Sequence, residues 1–378
     1  MFNWSDYIIK KELSNLLKNA DIYDKRQQSK VRHKFNEIIG ITLFALLSGS
    51  ETWEEIEDFA VYNEKILKNY FTLENGIASH DTIQRVFAIF SAEIFQQYRE
   101  KFNELLNSQE GNKIRKILAI DGKTQRGNAG RGQKANHIVS CVDNNGFCLG
   151  EKLVDDKSNE IIAIPELIKC LNVKGQIITT DAMGTQKEIV KEIRKKKADY
   201  VLALKGNHKE FHDDVKQYFN DQEFLNKCAK HRTVEKARSS IEIREYWQTD
   251  NIKWLPLKDW ADLKSIIMTR NTIKKADSTI TETRYFISSL ELDVKEVAKA
   301  IRSHWMVESY HWHLDVTFRE DNDHTLEKQA AFNLNILRKL ALNILKLLDI
   351  GRPRVSLRRK RKIIGWNPIK YFGELLKI

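Results

Sequence analysis

Five short apolar runs between Lys113 and Asn207 constrain the fold of this chain more than any other feature. The runs are KILAID, HIVSCVD, FCLGEKLV, QIITTDA and YVLALKG, and each is ended by a charge, Gly or Asn. Short runs rich in Ile, Val and Leu with such ends are typical of buried β-strands. The Asn144-Asn145-Gly146 junction predicts a hairpin between the second and third strands.

Helix-patterned segments separate the later strands. The segments EIIAIPELIKCL and QKEIVKEIRKKK have apolar residues at the spacing of a helix face. Three strands followed by helix, strand, helix, strand predict an α/β domain with a mixed sheet. Beyond Asn207, the stretches IEIREYWQT, SIIMTR and RYFISSL predict an antiparallel insertion, and helical periodicity returns near Val294.

The two ends of the chain have different textures. In residues 33–108, apolar residues recur at spacings of three and four positions, which predicts a helical domain. Ser50, Thr52 and the stretch 79–82 are predicted to form helix caps and turns. The segment GRPRVSLRRKRK carries seven Lys or Arg from Arg352 to Lys362. It predicts either a tail that contacts phosphates or a solvated, frayed terminus.

The charge balance limits the partners. The net charge is +11 and the pI is near 9.2, which suits a protein that meets nucleic-acid phosphates, although anionic membranes also attract basic proteins. The longest apolar stretch, 38–47, is too short to span a bilayer, and no signal peptide is evident. Four cysteines without a C-x-x-C pair are expected to be reduced thiols, so we expect a cytoplasmic protein without a membrane partner.

Two carboxylates each end an apolar strand: Asp121 follows KILAI, and Asp181 follows QIITT. Open α/β sheets place reactive groups at the polar ends of buried strands. An Asp before Gly is also an ordinary turn former, so either residue alone would be structural. Together they predict a site of the size of a metal ion, because neighbouring strands can bring both to one place.

A third element is the helix-patterned stretch that begins at Ile301. Its His304, Glu308, His311 and Asp315 are spaced four, three and four apart, which places all four on one helix face. The alternative to a chemical role is a solvated or salt-bridged surface.

Another stripe of the same helix contains Trp305, Trp312 and Val316. Aromatic residues at helical spacing usually pack against other elements. We therefore expect this stripe to lie in the core.

Three acids from two strands and a late helix can hold two divalent cations for phosphodiester displacement. Carboxylates favour Mg²⁺, with Mn²⁺ as a substitute, since both ions prefer oxygen ligands. His304 and His311 could instead suggest zinc, but the sequence has neither H-E-x-x-H nor a cysteine cluster.

A glycine-rich basic loop follows the first acid. It contains Lys123, Arg126, Arg131 and Lys134, and Lys205 ends the fifth strand. Its spacing is not that of a nucleotide-binding loop. We predict contacts with DNA phosphates, with a solvated loop as the alternative.

Several stretches together resemble the DDE-type insertion-sequence transposases, in particular the subgroup that includes H-repeat-associated proteins. They are IAIDGKTQRG, TTDAMGTQ, YVLALKGNH, RYFISSL, RSHWMVESYHWHLDVTFRED and NLNILRKLALNIL. VRHKFNEII, GSETWEEIEDFA and NGIASHDTIQRVF are similar to the helical N-terminal domain of that subgroup, so the resemblance covers most of the chain.

The resemblance implies a ribonuclease H-like catalytic core with Asp121, Asp181 and Glu308 as its first, second and third acids. With the residue patterns, it predicts a helical N-terminal domain at 1–110, for DNA binding or assembly, and a catalytic domain at 111–350. A mostly β insertion is expected at about 207–283, and a basic tail at 351–378.

The sequence departs from the family at two places. The Tyr-x-x-Arg-x-x-x-Glu-x-x-x-x-x-x-Lys signature of related transposases corresponds to Ile301, His304, Glu308 and Asp315, so only the Glu matches. His304, His311 and Asp315 are therefore auxiliary candidates. The subgroup's His-Gly-Arg-Ile-Glu is replaced by residues 238–242, RSSIE, where Arg238 or Arg244 could supply the DNA contact.

The activity implied is cleavage at the ends of an insertion sequence and joining of the 3′ hydroxyl to target DNA. The partners implied are double-stranded DNA and a second copy of the chain on paired ends, at the nucleoid. Two alternatives stay open: an inactive DNA-binding relic or repressor of the element, and a metal-dependent nuclease without strand transfer.

Overall fold

A nine-stranded mixed sheet forms the centre of the protein. The computed structural model describes residues 21, 24–109, 116–130, 132–154, 159–236, 239–255 and 257–376. The strands are β1 (Ile117–Thr124), β2 (His137–Asp143), β3 (Cys148–Val154), β4 (Ile177–Thr180), β5 (Asp199–Leu204), β6 (Ala229–Lys236), β7 (Ser240–Thr249), β8 (Ser265–Lys275) and β9 (Thr279–Ser288).

The sheet order is β3-β2-β1-β4-β5-β9-β8-β7-β6. β1, β4 and β5 are parallel to one another, while β2 and β3 form the predicted hairpin, with its turn at Asn144 and Asn145. This arrangement confirms the predicted α/β fold of the ribonuclease H-like type. The parallel strands at its centre bring their carboxyl ends to one edge.

Helices lie before, between and after the strands. They are α1 (Phe35–Ser48), α2 (Trp53–Tyr62), α3 (Glu64–Leu67), α4 (His80–Ile89), α5 (Ala92–Gln109), α6 (Glu160–Cys170), α7 (Lys187–Lys195), α8 (Lys209–Asn220), α9 (Gln222–Lys227), α10 (Val294–Thr317), α11 (Lys328–Leu347), α12 (Leu357–Trp366) and α13 (Pro368–Leu376).

Alternate strand residues face two separate cores. Leu118 and Ile120 of β1 pack into a cluster with α6, α7 and α8, whereas Ala119 faces a cluster with α10 and α11. The second cluster also contains α1, α2, α4, α5 and α12, so the N-terminal helices share a core with the central sheet. The domain boundaries at 110 and 350 stay predictions.

The predicted insertion starts with helices. α8 and α9 follow β5, and β6 to β9 then form the antiparallel part. β9 pairs with β5 from Val201↔Ser288 to Leu204↔Tyr285, so the insertion continues the central sheet. Its strands extend past the predicted limit of 283 to Ser288.

The basic C-terminal segment forms two helices, α12 and α13, on the α1 side of the sheet. The four cysteines are free, and Cys170 is exposed. No helix in the described parts of the chain has both the length and the apolar character needed to cross a membrane.

The predicted caps are present at α2 and α4. The Thr52 hydroxyl accepts the backbone N–H of Glu55 at 3.2 Å, and Ser79 caps α4 in the same way. We expect Thr52→Ala to lower the free energy of unfolding by about 1 kcal/mol, because one backbone donor loses its acceptor. Urea unfolding measures the loss. Thr52→Ser keeps the oxygen and should match the wild type; an equal loss there would contradict the cap argument.

Candidate active site

The two aspartates directly follow paired residues of neighbouring parallel strands, because Ile120 of β1 is in register with Thr180 of β4. Asp181 comes after the last residue of β4, as predicted, but β1 continues to Thr124 and Asp121 lies inside it, because β1 stays paired with β2 up to Thr124↔His137. One carboxylate oxygen of Asp181 accepts backbone N–H groups of Met183 and Gly184 at 3.0 and 3.1 Å. This turn fixes the direction of the Asp181 side chain.

The polar face of α10 meets this strand edge. His304 Nδ1 lies 3.0 Å from the Thr179 hydroxyl, and His311 Nδ1 lies 3.6 Å from Asp121 Oδ2. Glu308 is exposed and lines the same cleft as both aspartates. The helical spacing thus brings a third carboxylate beside the two strand ends.

The tryptophan stripe of α10 is not in the core, and our prediction for it was wrong. Trp305, Trp312 and Val316 have exposed fractions of 43%, 55% and 41%. The guanidinium of Arg284 stacks over Trp305 at 5.6 Å. The periodicity alone did not distinguish a buried stripe from a solvent-facing one, because α10 already buries Val307, Tyr310 and Leu314.

The electrostatics of the site are dominated by carboxylates. Burial and the negative charge of Asp181, with a smaller contribution from Glu308, raise the pKa of Asp121 to about 7. Burial lowers the pKa of His304 to about 4 and, together with nearby lysines, that of His311 to about 3. At neutral pH both imidazoles are therefore uncharged, and a cation among the acids would stabilise the charged form of Asp121.

Asp121 should destabilise the ion-free protein above neutral pH. Its pKa rises from 3.8 to about 7 on folding, so between these values the folded state binds more protons and stability falls as the pH rises. In chelator at pH 8, we expect Asp121→Asn to be more stable than the wild type by about 4 kcal/mol, a gain that falls away as the pH approaches 4. Urea unfolding against pH measures this gain, and a pH-independent difference would contradict it.

A cleft of about 800 Å³ runs from the acids along the antiparallel extension of the sheet. Five cations line it: Lys205, Arg244, Arg270, Arg284 and Arg302. The sequence pattern indicated Lys205 and Arg244, but not the other three. Arg270 on β8 and Arg284 on β9 reach the acids only through the pairing of β9 with β5, whereas Arg302 lies on α10 itself.

Lys123 is the predicted DNA contact whose surroundings differ most from a solvated loop. Its ammonium lies 2.7 Å from Asp315, 2.9 Å from Glu320 and 3.2 Å from Asp321, and its side chain is 10% exposed. These carboxylates raise the pKa of Lys123, although burial opposes them. The cluster ties β1 to α10 and the turn after it.

The other predicted contacts that the structure describes differ in their exposure. Lys205 is exposed in the cleft, whereas Arg244 is buried there and pairs with Glu235 and Glu242. Arg126 and Lys134 are exposed in the loop after β1. Arg131 and Arg238 lie outside the described residues.

A buried pair behind Asp121 was also missed. His137 Nε2 lies 2.5 Å from Glu160 Oε1, and a Cβ on Gly122 would meet both atoms within 2.6 Å. The pair therefore packs directly against the backbone of Gly122, the residue after Asp121. No sequence signal connects them, because His137 is on β2 and Glu160 begins α6.

The donor set suits a hard divalent cation. Asp121, Asp181 and Glu308 offer carboxylate oxygens, and the repulsion that raises the pKa of Asp121 would be relieved by a bound cation. Among the described residues, no group of three or more His, Cys, Asp or Glu side chains is close enough to hold an ion as placed. Glu308 is exposed, so its side chain can turn toward the aspartates.

A ribonuclease H-like sheet with an acid-lined cleft at its edge is the architecture of the DDE class of transposases. Residues 112–344 match the family described as "Transposase DDE domain", and residues 19–102 match "DDE_Tnp_1-associated". The chain belongs to the DDE transposase family.

Relatives from Escherichia coli match nearly the whole chain. "Putative transposase YncI" of strain O157:H7 is 37% identical over 369 residues, which cover 94% of this chain and 92% of that protein. "H repeat-associated putative transposase YhhI" of strain K12 is 36% identical over 368 residues, covering 93% and 95%. The family and subgroup predicted from the sequence are therefore confirmed.

Proposed function

We propose that this protein cuts the ends of an insertion sequence and joins the freed 3′ hydroxyl to target DNA. The observation that carries the proposal is the single cleft that Asp121, Asp181 and Glu308 line together with five cations. Carboxylates suit a metal-assisted phosphodiester reaction, and cations suit a DNA strand.

Both reactions are in-line displacements at phosphorus. In the first, a water oxygen bonds to phosphorus and the 3′ oxygen of the element leaves as a hydroxyl. In the second, that 3′ hydroxyl attacks a target phosphodiester and expels the target's own 3′ oxygen. No covalent bond to the protein is needed.

Asp121, Asp181 and Glu308 would hold Mg²⁺ or Mn²⁺, in the two-ion arrangement predicted for such acids. A bound divalent cation activates the attacking oxygen and stabilises the departing one. His311 supports this set by its position beside Asp121, and the turn after Asp181 supports it by fixing that carboxylate.

The cleft wall would position the DNA backbone. Lys205 and Arg302 are exposed there, and Arg270 stacks over Trp247 at 5.2 Å. Such cations contact phosphates and do not by themselves distinguish one base sequence from another. Double-stranded element ends and target DNA are therefore the proposed substrates, with a second copy of the chain pairing the two ends, in keeping with relatives named transposases.

Product analysis on labelled duplexes that carry the flanking element ends tests the proposal. In Mg²⁺ or Mn²⁺ we expect nicked element ends and products joined to target DNA, and in chelator neither. Cleavage without joining would reduce the function to that of a nuclease. Binding without either reaction would indicate an inactive DNA-binding protein.

A further inference from the structure

The C-terminal segment concentrates positive charge more strongly than any part of the catalytic cleft. Residues 351–373 hold eight Lys or Arg and no Asp or Glu, against a net charge of +11 for the whole chain. Both family matches end before this segment, at residues 102 and 344. Its charge is therefore not explained by the catalytic site.

Two of these cations anchor α12 to the body of the protein. Arg361 is 3% exposed and donates to the carbonyls of Leu46 and Ser50, each at 2.9 Å, and to that of Thr317. Lys360 donates to the carbonyls of Leu345 and Leu348 at 2.8 and 2.6 Å. These bonds hold α12 against α1, α10 and α11.

Close backbone packing fixes the same helix. A Cβ on Gly365 would lie 2.6 Å from the Ser48 carbonyl oxygen, so only glycine allows this approach to α1. Ile364 is fully buried in the shared core. Residues 357–366 thus form a helix that is packed on the body of the protein. They do not form the frayed terminus that was one of the two alternatives from the sequence.

The remaining cations of this run face the solvent. They are Arg352, Arg354, Arg358, Arg359 and Lys362, all exposed. Within the described residues, none of the five forms an ion pair or side-chain hydrogen bond. These five cations form a strongly positive surface on and just before a helix that Lys360 and Arg361 hold in place. We call this surface the α12 basic face.

The α12 basic face lies on the same side of the sheet as the catalytic helix. Arg361 bonds to Thr317, the last residue of α10, and its guanidinium stacks over Phe318 at 4.3 Å. Glu308 is nine residues before Thr317, or about 14 Å along the helix at 1.5 Å per residue. The point at which α12 is bonded to α10 is therefore separated from Glu308 by less than half a turn of B-DNA, whose helical repeat is about 34 Å.

We propose that the α12 basic face is a second binding site for duplex DNA, which contacts the phosphate backbone of a DNA whose cleaved strand lies in the catalytic cleft. The proposal rests on the proposed function, because the cleft supplies the DNA that reaches α12. Charge complementarity identifies the occupant. An anionic membrane fits less well, since the apolar face of α12 is covered by α1.

The test is the salt dependence of DNA binding by the full-length protein in chelator. Each lost phosphate contact lowers the slope of log affinity against log salt by about 0.9. For Arg358→Gln/Arg359→Gln/Lys362→Gln we expect the slope to fall by about 2 to 3 and the affinity at about 0.1 M salt to fall at least about tenfold. Arg358→Lys/Arg359→Lys keeps the charge and should keep the slope.

The matched control removes three exposed cations from the opposite side of the sheet, Lys169→Gln/Lys191→Gln/Lys195→Gln on α6 and α7. Equal slopes for the wild type and the α12 variant, or an equal fall in the control, would overturn the second site while leaving the cleavage assay untouched. A variant that lost binding only to anionic vesicles would also overturn it. A wild type that neither binds nor cleaves DNA would overturn the proposed function as well.

Discussion

Glu308→Gln is expected to lower the rates of both cleavage and joining by about a thousandfold while DNA binding in chelator is retained. A bound divalent cation stabilises the transition state by several kcal/mol, and each 1.36 kcal/mol is a factor of ten in rate. Gln keeps the size of the side chain but loses the charge that the cation needs. Because Glu308 is exposed on α10, the fold should not change.

Two further variants serve as controls for the loss of activity in Glu308→Gln. Glu308→Asp keeps the charge on a shorter side chain and should retain part of the activity in Mg²⁺ or Mn²⁺, with none in chelator. Glu210→Gln removes an equally exposed carboxylate from α8, on the other face of the sheet, and should be fully active. Unchanged activity of Glu308→Gln would remove this residue from the site and with it the assignment of α10 as the third catalytic element.

The central strands were predictable because their pattern is local. Each apolar run of β1 to β5 is complete within a few residues, and the order of strands and helices restricts the sheet topology. The closeness of Asp121 and Asp181 followed from the same pattern, since each follows an apolar run and the two runs pair in parallel, with Ile120 opposite Thr180. The spacing of Glu308 and the two histidines gave the face of α10 in advance.

Contacts between distant segments were not predictable in this way. Lys123 meets Asp321, 198 residues later, and Tyr285 of β9 pairs with Leu204 of β5. No periodic pattern encodes such partners. The exposed Trp305 shows the same limit, because a sequence period gives the faces of a helix but not what covers each face.

The core that the N-terminal helices share with the central sheet also contains a buried ionic cluster. Glu151 of β3 forms an ion pair with Arg99 of α5 and lies 3.7 Å from Lys339 of α11. All three side chains are at most 1% exposed. Lys339 also donates to the Ser140 hydroxyl at 2.8 Å. One carboxylate thus neutralises cations from both sides of the predicted domain boundary.

Glu151→Gln should therefore cost about 3–5 kcal/mol of unfolding free energy, because two buried cations lose their carboxylate partner. Urea unfolding measures the loss. Replacing both members of the closest pair, in Arg99→Met/Glu151→Met, should recover part of it, since buried pairs exchanged for apolar residues are often neutral. Glu291→Gln, which removes the partner of exposed Lys264, should change stability by less than about 1 kcal/mol.

The shape of the same unfolding curves decides whether 1–110 is a separate domain. The shared apolar cluster and the Glu151 cluster both join α5 to the sheet, so we expect one cooperative transition whose midpoint moves in Glu151→Gln without a change of slope. Two transitions, with only the first displaced, would mean that the N-terminal helices unfold by themselves. In that case the contact at Arg99 joins two domains, and the loss in Glu151→Gln would be confined to their interface.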